Sequence, residues 1–145
     1  MSKNLTWKKT KEEPYKAGWR KMLRKTFILL NGQESDYDIK DEGIIVCGLV
    51  LTPEKKVVLM KVFRPGPEKV LLEIPGGFVS SGEDLLGAAI REVREETGYT
   101  GKLEIVGKTF DDAYSNCTRY CFVASDSPRH KSQSGKKTKN AKLSK

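Results

Sequence analysis

The sequence has no long apolar run and few cysteines, and each shortage excludes a class of protein. No stretch approaches the roughly 20 apolar residues of a membrane span, so we expect no transmembrane segment. The opening residues, MSKNLTWKKTKEEP, lack the apolar core of a secretory signal, which predicts a cytoplasmic protein. The cysteines are Cys47, Cys117 and Cys121, without a Cys-x-x-Cys pair, which argues against a disulfide framework or a zinc site. We interpret them as small buried or half-buried thiols.

Acidic residues are scarce at both ends of the chain. Residues 1–25 carry nine Lys and Arg against two acids, and residues 127–145 carry seven against none. The middle, residues 26–126, carries eleven bases against seventeen acids, within a net charge of +8. The basic residues therefore lie outside the part with core-forming patterns. Nucleic-acid binding through the basic ends is an alternative that this charge distribution does not favour.

The pattern of apolar residues and turn formers predicts one compact domain rich in strands. Residues 1–24 form a basic N-terminal segment, residues 25–126 the domain, and residues 127–145 a basic disordered tail. The domain begins with a hairpin over 25–39, because Asn31-Gly32 is a strong hairpin signal. The other predicted strands cover 43–52, 57–63, 70–74, 103–110 and 119–125. Pro75-Gly76-Gly77 is expected to end a strand in a glycine turn.

A helix is predicted over residues 83–97. The residues expected on its buried face are Leu86, Ala89, Ile90 and Val93. Ser81 and Asp84 have the spacing of a capping box at the N-terminus. Gly98 is a natural residue to end the helix.

Three carboxylates crowd onto this predicted helix. Glu92 and Glu96 stack one turn apart and Glu95 lies beside them, so their charges repel. A solvated, ion-paired surface is one interpretation of such a segment. A hard divalent cation is the other, since Mg²⁺ and Mn²⁺ prefer oxygen ligands and would relieve the repulsion. The glycine-rich approach at Gly76 favours the cation site, because it brings backbone carbonyls close.

The spacing of these residues resembles the Nudix box. Gly77 and Glu83 are followed by Arg91-Glu92-Val93, by Glu95-Glu96 and by Gly98-Tyr99, and every fixed position of that signature is present. Tyr99 departs mildly from the bulky aliphatic residue that is usual there. The resemblance covers about residues 25–125. It implies an α/β fold, a Nudix-type α/β/α sandwich with a mixed sheet.

Two further motifs resemble one branch of that family. FRPG (63–66) and LEIPGG (72–77) look like the branch that hydrolyses ADP-ribose and other nucleoside diphosphate sugars. The resemblance implies that Arg64 and Glu73 line the substrate cleft and that the early hairpin serves a homodimer. Tyr114 stands where this branch usually has a proline. It is expected either to stack on a base or to pack within its loop.

The resemblance also implies a mechanism. The expected cation is Mg²⁺, with Mn²⁺ as an alternative. It is held by Glu92 and Glu96, with help from Glu95 and the Gly76 carbonyl. Hydrolysis of a phosphoanhydride then releases a nucleoside monophosphate. Arg91 orients the glutamates. Glu83 either supports the loop–helix geometry or binds a further metal.

The resemblance leaves other functions open. Nudix domains usually continue after a strand like RYCFVAS, so we expect this chain to lack the last strand and helix. The nearest remaining acids that could act as general base are Asp111 and Asp112. Hydrolysis of nucleoside triphosphates is one alternative, because the box alone does not select a substrate. A catalytically weak domain that binds nucleotides or RNA is another. No membrane association is expected.

Overall fold

The structure, a computed structural model, describes residues 5–125 and 127–129. Its elements in chain order are β1 (Lys8–Ala17), β2 (Arg20–Ile28), β3 (Glu34–Lys40), β4 (Ile44–Val50), β5 (Met60–Arg64), β6 (Lys69–Glu73), β7 (Gly76–Phe78), α1 (Leu85–Thr97), β8 (Leu103–Phe110) and β9 (Thr118–Ala124). Within the described residues, no helix is long and apolar enough to cross a bilayer.

The chain divides into two compact units. The first contains the described residues up to 44 together with 110–118, and the second contains residues 45–109 and the described residues from 119 onward. The domain limits predicted from the sequence, 25 and 126, stay a prediction. Apart from residues 127–129, the predicted tail lies outside the described residues.

The first unit is built on an antiparallel sheet in the order β1-β2-β3. Strands β2 and β3 form the predicted hairpin, with Gly32 at a positive φ of 85° in its turn. The hairpin begins earlier than predicted, at Arg20.

Strand β1 was not predicted, because its residues show no apolar alternation. All but one of its residues are exposed. The strand is held by pairing with β2 through a two-residue turn at Gly18-Trp19, where Gly18 has a φ of 62°. Glu12 stands opposite Lys25, so opposite charges face each other across the strands. Backbone pairing and cross-strand charge therefore stabilise an element that hydrophobic periodicity cannot reveal.

The second unit contains a sheet in the order β7-β4-β9-β8 and a separate β5-β6 hairpin. The apolar run predicted as a buried strand is β4, in which Val46, Cys47 and Val50 are buried. The buried core of this unit comprises Val46, Val50, Ala88, Ala89, Val93, Leu103, Phe122 and Ala124. Strand β5 starts at Met60 rather than at 57, and Val57 makes only an isolated bridge with Leu51.

The glycine pair predicted as a turn is instead a strand. Gly76 and Gly77 belong to β7, which pairs antiparallel with β4. A Cβ atom on Gly76 would lie 2.4 Å from the Val46 carbonyl oxygen. Glycine is therefore required here for close backbone packing within the sheet, rather than for a turn conformation.

The buried face of the helix matches the predicted one at Ala89 and Val93 and differs from it at Leu86 and Ile90. Ala88, Ala89 and Val93 are buried, whereas Leu86 and Ile90 are 43% and 40% exposed. Val93 packs directly on β4, since a Cβ on Gly48 would lie 2.6 Å from its Cγ2 atom. The small alanines let the helix approach the sheet closely, and the contact face is rotated away from Leu86 and Ile90. Glu92 and Glu96 consequently face β7 instead of forming a fully solvated ridge.

The three cysteines are free thiols, as interpreted from the sequence. Cys47 and Cys117 are buried and Cys121 is half-buried. Cys117 immediately precedes β9, the strand that contains Cys121.

Candidate active site

The loop before α1 fixes the position of Glu83. The Ser80 N–H donates to Oε2 of Glu83 at 3.0 Å, and the Glu83 N–H donates to the Ser80 carbonyl at 3.1 Å. The helix itself is capped by Asp84, whose Oδ1 accepts from the Gly87 N–H at 2.9 Å. The predicted Ser81–Asp84 capping box is therefore wrong, because Asp84 is the N-cap itself. At the other end Gly98 caps the helix with a φ of 72°, as predicted.

Arg91 connects the loop to the helix carboxylates. Its Nε and Nη2 donate to the two Glu83 oxygens at 2.8 and 2.9 Å, and Nη1 donates to Glu92 Oε1 at 2.6 Å. Nη2 also donates to the Phe78 carbonyl at 3.2 Å. The Arg91 guanidinium and the Ser80 amide lower the pKa of Glu83 to about 2. The Arg91–Glu83 pair therefore stays charged wherever carboxylates are ordinarily ionised, and it fixes one Glu92 oxygen.

Glu92 lies directly over Gly77. A Cβ on Gly77 would lie between 2.5 and 2.9 Å from the three atoms of the Glu92 carboxyl group. Because real Cβ atoms do not approach this closely, the carboxylate occupies space that only glycine leaves free. Gly77 therefore provides the space that the Glu92 carboxylate occupies.

Glu96 faces the neighbouring glycine of β7. The Gly76 N–H donates to Glu96 Oε2 at 2.9 Å. Partial loss of hydration raises the pKa of the Glu96 carboxyl above its ordinary value, although the side chain is exposed in part. The Gly76 hydrogen bond and the charge of Arg64 oppose this rise, whereas the charges of Glu92 and Glu73 add to it. Glu92 and Glu96 thus form a pair of repelling carboxylates beside β7. The predicted role of the Gly76 carbonyl stays a prediction, since Gly76 contacts Glu96 through its N–H.

Arg64 and Glu73 form a two-pronged ion pair along the β5-β6 hairpin. Arg64 Nε and Nη2 donate to the two Glu73 oxygens at 2.7 and 2.5 Å. The hydrogen bonds from Arg64 are the main cause of a lowered pKa at Glu73. Since both side chains also act on the pKa of Glu96, the structure brings these two predicted residues to the helix carboxylates.

Arg119 is a charged residue near Glu73 that no sequence motif indicated. It lies in β9, where its charge helps to lower the pKa of Glu73 and opposes the rise at Cys47. In the sequence it stands at the start of the apolar strand RYCFVAS, which gave no signal of function. Only the order of strands in the sheet brings β9 next to β4.

The carboxylates fit a divalent cation whose remaining coordination positions are filled by waters and by phosphate oxygens of a bound nucleotide. In the described part of the chain, no group of three His, Cys, Asp or Glu side chains forms a ready cation cage. Mg²⁺ does not need one, because it is usually held by one or two carboxylates together with waters and phosphate oxygens. Glu92 and Glu96, held by Arg91 and Gly76, supply such a pair. Glu95 is more exposed than Glu92, and its carboxylate is 3.9 Å from Arg91.

Glu83 fits a supporting role better than that of a metal ligand. Both of its oxygens accept from Arg91, and one also accepts from the Ser80 N–H. These contacts correspond to the loop–helix alternative. A further metal at Glu83 stays a prediction.

Tyr114, Asp111 and Asp112 belong to the first unit. The Tyr114 ring stacks on Tyr37 at a centroid distance of 6.3 Å, which corresponds to the loop-packing alternative. Lys40 forms ion pairs with both aspartates. Its hydrogen bond is the main reason for a lowered pKa at Asp112, which makes this carboxylate a weaker proton acceptor. The expected roles of Tyr114 in substrate binding and of the aspartates as base stay predictions.

Comparison with known proteins identifies the class. The model of the NUDIX domain matches residues 42–143, and the chain belongs to the Nudix family. The match includes most of the segment predicted as a tail. In fold, the chain is similar to a crystal structure described as an ADP compounds hydrolase, with a TM-score of 0.72 and 20% identity over 96% of this chain and 77% of that one. The predicted family and Nudix-type α/β fold are thus confirmed. The described residues contain one helix and therefore provide one helical layer.

Several relatives match about half of this chain. An ADP-ribose pyrophosphatase of Saccharomyces cerevisiae is 44% identical over 69 residues, covering 47% of this chain and 30% of that protein. An ADP-ribose pyrophosphatase of Bacillus subtilis is 40% identical over 74 residues, covering 51% and 40%. An ADP-sugar pyrophosphatase of Mus musculus is 42% identical over 66 residues, covering 44% and 30%. The chain therefore spans less than half the length of each.

Proposed function

We propose that this protein hydrolyses the pyrophosphate bond of a nucleoside diphosphate linked to a sugar, with ADP-ribose or an ADP-sugar as substrate. Water adds across the bond, and the products are a nucleoside monophosphate and a sugar phosphate, which are AMP and ribose 5-phosphate for ADP-ribose. The required cation is Mg²⁺, with Mn²⁺ as the alternative. The homodimer implied by the early hairpin stays a prediction.

The observation that carries this proposal is the seating of Glu92 and Glu96 against Gly77 and Gly76. Two carboxylates with repelling charges are held in place by neighbouring groups, which suits a site for a cation rather than an ordinary surface. Three relatives that are 40–44% identical over about half of this chain are ADP-ribose or ADP-sugar pyrophosphatases by name, which supports the choice of substrate.

The residues of the site have two proposed roles, which are to bind the cation or the substrate and to position the cation ligands. A divalent cation would neutralise pyrophosphate charge and lower the pKa of a bound water. Glu92 and Glu96 would hold that cation. Arg91, which is itself held by Glu83, would orient Glu92. Arg64 is suited to bind a phosphate oxygen, because its guanidinium presents two parallel donors and is partly exposed. In the present arrangement those donors are held by Glu73.

A substrate panel with the full chain tests the proposal. ADP-ribose, ADP-glucose and a set of nucleoside triphosphates are each incubated with Mg²⁺, and products are separated by ion-exchange chromatography. We expect AMP from ADP-ribose or from the ADP-sugar, at a higher kcat/KM than for any triphosphate. Preferential release of pyrophosphate from triphosphates would favour the triphosphate alternative. Salt-sensitive RNA binding without turnover of any compound would favour the binding alternative.

Replacing Gly77 by alanine is expected to displace the Glu92 carboxylate. The added Cβ would occupy the space that this carboxylate now fills, so we expect weaker cation binding and a loss of activity of about tenfold or more. The thermal midpoint should change little, because the clash is with the end of a flexible side chain. The measurements are AMP release at a series of Mg²⁺ concentrations and a thermal unfolding curve.

Gly107→Ala is the matched control, since a Cβ on that strand glycine meets no atom within 4 Å. We expect it to retain the activity of the unmodified chain. Equal activity of both alanine variants would show that Gly77 does not seat Glu92.

Replacing Arg64 by alanine is expected to raise the KM for ADP-ribose by about tenfold, since a charge-assisted hydrogen bond to phosphate contributes about 1.5–3 kcal/mol. The kcat should change less, because Arg64, which pairs with Glu73, is not one of the proposed cation ligands. Steady-state kinetics with ADP-ribose give both values. Arg24→Ala removes a comparable exposed pair with Asp38 in the first unit and is expected to leave KM unchanged. An unchanged KM in the Arg64 variant would remove this residue from the proposed cleft.

A further inference from the structure

Two of the three thiols lie side by side in the second unit. The Cys47 thiol donates to the sulfur of Cys121 over a distance of 3.6 Å. Cys47 belongs to β4 and Cys121 to β9, which are neighbours in the sheet. The third thiol, Cys117, belongs to the first unit. The chain therefore contains one close pair of thiols from distant parts of the sequence.

The two sulfurs are placed to form a covalent bond after a small movement. A disulfide bond is about 2.05 Å long, so the sulfurs would have to approach by about 1.5 Å. Both side chains already point at each other, as their hydrogen bond requires. Because the partners lie on hydrogen-bonded neighbouring strands, side-chain rotation with a slight backbone adjustment can supply this approach.

Exposure gives the two thiols different roles in oxidation. Cys121 is half-buried, whereas Cys47 is only 3% exposed. A hydroperoxide therefore reaches Cys121 first, where the sulfur attacks the O–O bond and becomes a sulfenic acid while an alcohol or water leaves. The Cys47 sulfur then displaces the hydroxyl group from Cys121, and a water molecule leaves as the S–S bond forms. The two thiols together lose two protons and two electrons, and the hydroperoxide accepts them.

The pair is connected to the site by one short path. Cys47 is the register partner of Gly76 in the β4-β7 ladder, and the Gly76 N–H holds Glu96. The packing at this point leaves no spare room, since a Cβ on Gly76 would lie 2.9 Å from the Cys47 Cα atom. A movement of Cys47 toward β9 would therefore shift the backbone that positions Glu96.

We propose that Cys47 and Cys121 form an oxidisable dithiol, that a hydroperoxide converts it to a disulfide, and that this disulfide weakens cation binding at Glu92 and Glu96. The last part rests on the proposed function. The bond formation does not, because it depends only on the thiols.

A peptide map of the full chain tests bond formation. The protein is treated with hydrogen peroxide, alkylated and digested with trypsin without reduction. Cleavage at Lys and Arg separates the three cysteines into peptides 41–55, 109–119 and 120–129. We expect peptides 41–55 and 120–129 to be joined, with a mass about 2 Da below their sum, and to separate after dithiothreitol. Two unlinked peptides, or a link through Cys117, would overturn the proposal.

Mn²⁺ binding, followed by the electron paramagnetic resonance signal of the free ion, tests the coupling to the site. We expect oxidation to weaken Mn²⁺ binding by about tenfold and dithiothreitol to restore it. Cys121→Ser should bind Mn²⁺ equally before and after peroxide, whereas Cys117→Ser should respond like the unmodified chain. Unchanged affinity in a chain shown to contain the disulfide would overturn the coupling. Reduced protein that binds no Mn²⁺ would overturn the proposed function and the coupling with it, while the peptide map still decides the bond.

Discussion

Replacing Glu92 by glutamine is expected to lower kcat for ADP-ribose hydrolysis by about 10²- to 10³-fold, the cost typical of losing one group that stabilises transition-state charge. Glutamine keeps the size of the side chain over Gly77 but removes the negative charge. A neutral amide is a poor ligand for a hard cation, and it no longer pairs with Arg91, which now contacts Glu92 Oε1 at 2.6 Å. The measurement is initial-rate kinetics at saturating Mg²⁺, combined with Mn²⁺ binding.

Glu104→Gln is the control for this substitution. Glu104 lies in β8 of the same unit, with its side chain 64% exposed and paired with Lys102. The same chemical change at that position is expected to alter kcat by less than about twofold, since exposed ion pairs contribute little. A Glu92 variant with normal turnover would remove this carboxylate from the proposed site.

Replacing Arg91 by lysine is expected to raise the Mg²⁺ concentration needed for half-maximal activity and to lower activity by about 10- to 100-fold. Arg91 donates to Glu83, Glu92 and the Phe78 carbonyl at the same time. A lysine ammonium keeps the positive charge but lacks the planar set of donors, so it cannot hold both carboxylates in one geometry. The effect should be larger on the Mg²⁺ dependence than on the KM for ADP-ribose, because Arg91 acts through Glu92.

Arg94→Lys supplies the comparison. Arg94 lies on the same helix and is exposed in its last turn. We expect this variant to keep the Mg²⁺ dependence of the unmodified chain. If Arg91→Lys were as active as Arg94→Lys at limiting Mg²⁺, Arg91 would not be a positioning residue.

Local patterns were enough to predict the helix and several strands. Helical spacing predicted an element over 83–97 where α1 covers Leu85–Thr97, and the apolar run at 43–52 predicted β4. The charge crowding at Glu92 and Glu96 was visible in the sequence, because helical spacing is a short-range property. These features depend on residues that are close to each other in the sequence.

Packing between elements could not be predicted in the same way. Ala89 and Val93 are buried as the helical pattern predicted, whereas Leu86 and Ile90 satisfy the same pattern and are exposed. Ala88, which the pattern did not include, is buried because its small side chain permits close approach to the sheet. Gly76 and Gly77 signalled a turn, although their lack of a Cβ serves close packing with Val46 and Glu92. Strand β1 was not predicted, because it is stabilised by pairing with β2 and its own sequence has no apolar periodicity.

Residues that meet through the sheet were the least predictable. Cys47 and Cys121 are 74 positions apart, and only the adjacency of β4 and β9 brings their sulfurs together. Arg119 of β9 likewise acts on the pKa of Glu73 in β6, an element far from it in the sequence. Sequence spacing carries no information on such pairs until the order of the strands is known.

The cation dependence of AMP release is the most direct test of the proposed role of Glu92 and Glu96. ADP-ribose is incubated with the full chain in Mg²⁺, in excess EDTA, and in EDTA followed by an excess of Mg²⁺. We predict AMP release in Mg²⁺, none above background in EDTA, and recovery when Mg²⁺ is restored. AMP release that continues unchanged in EDTA, or none with either Mg²⁺ or Mn²⁺, would contradict the proposal that these two carboxylates hold a catalytic cation.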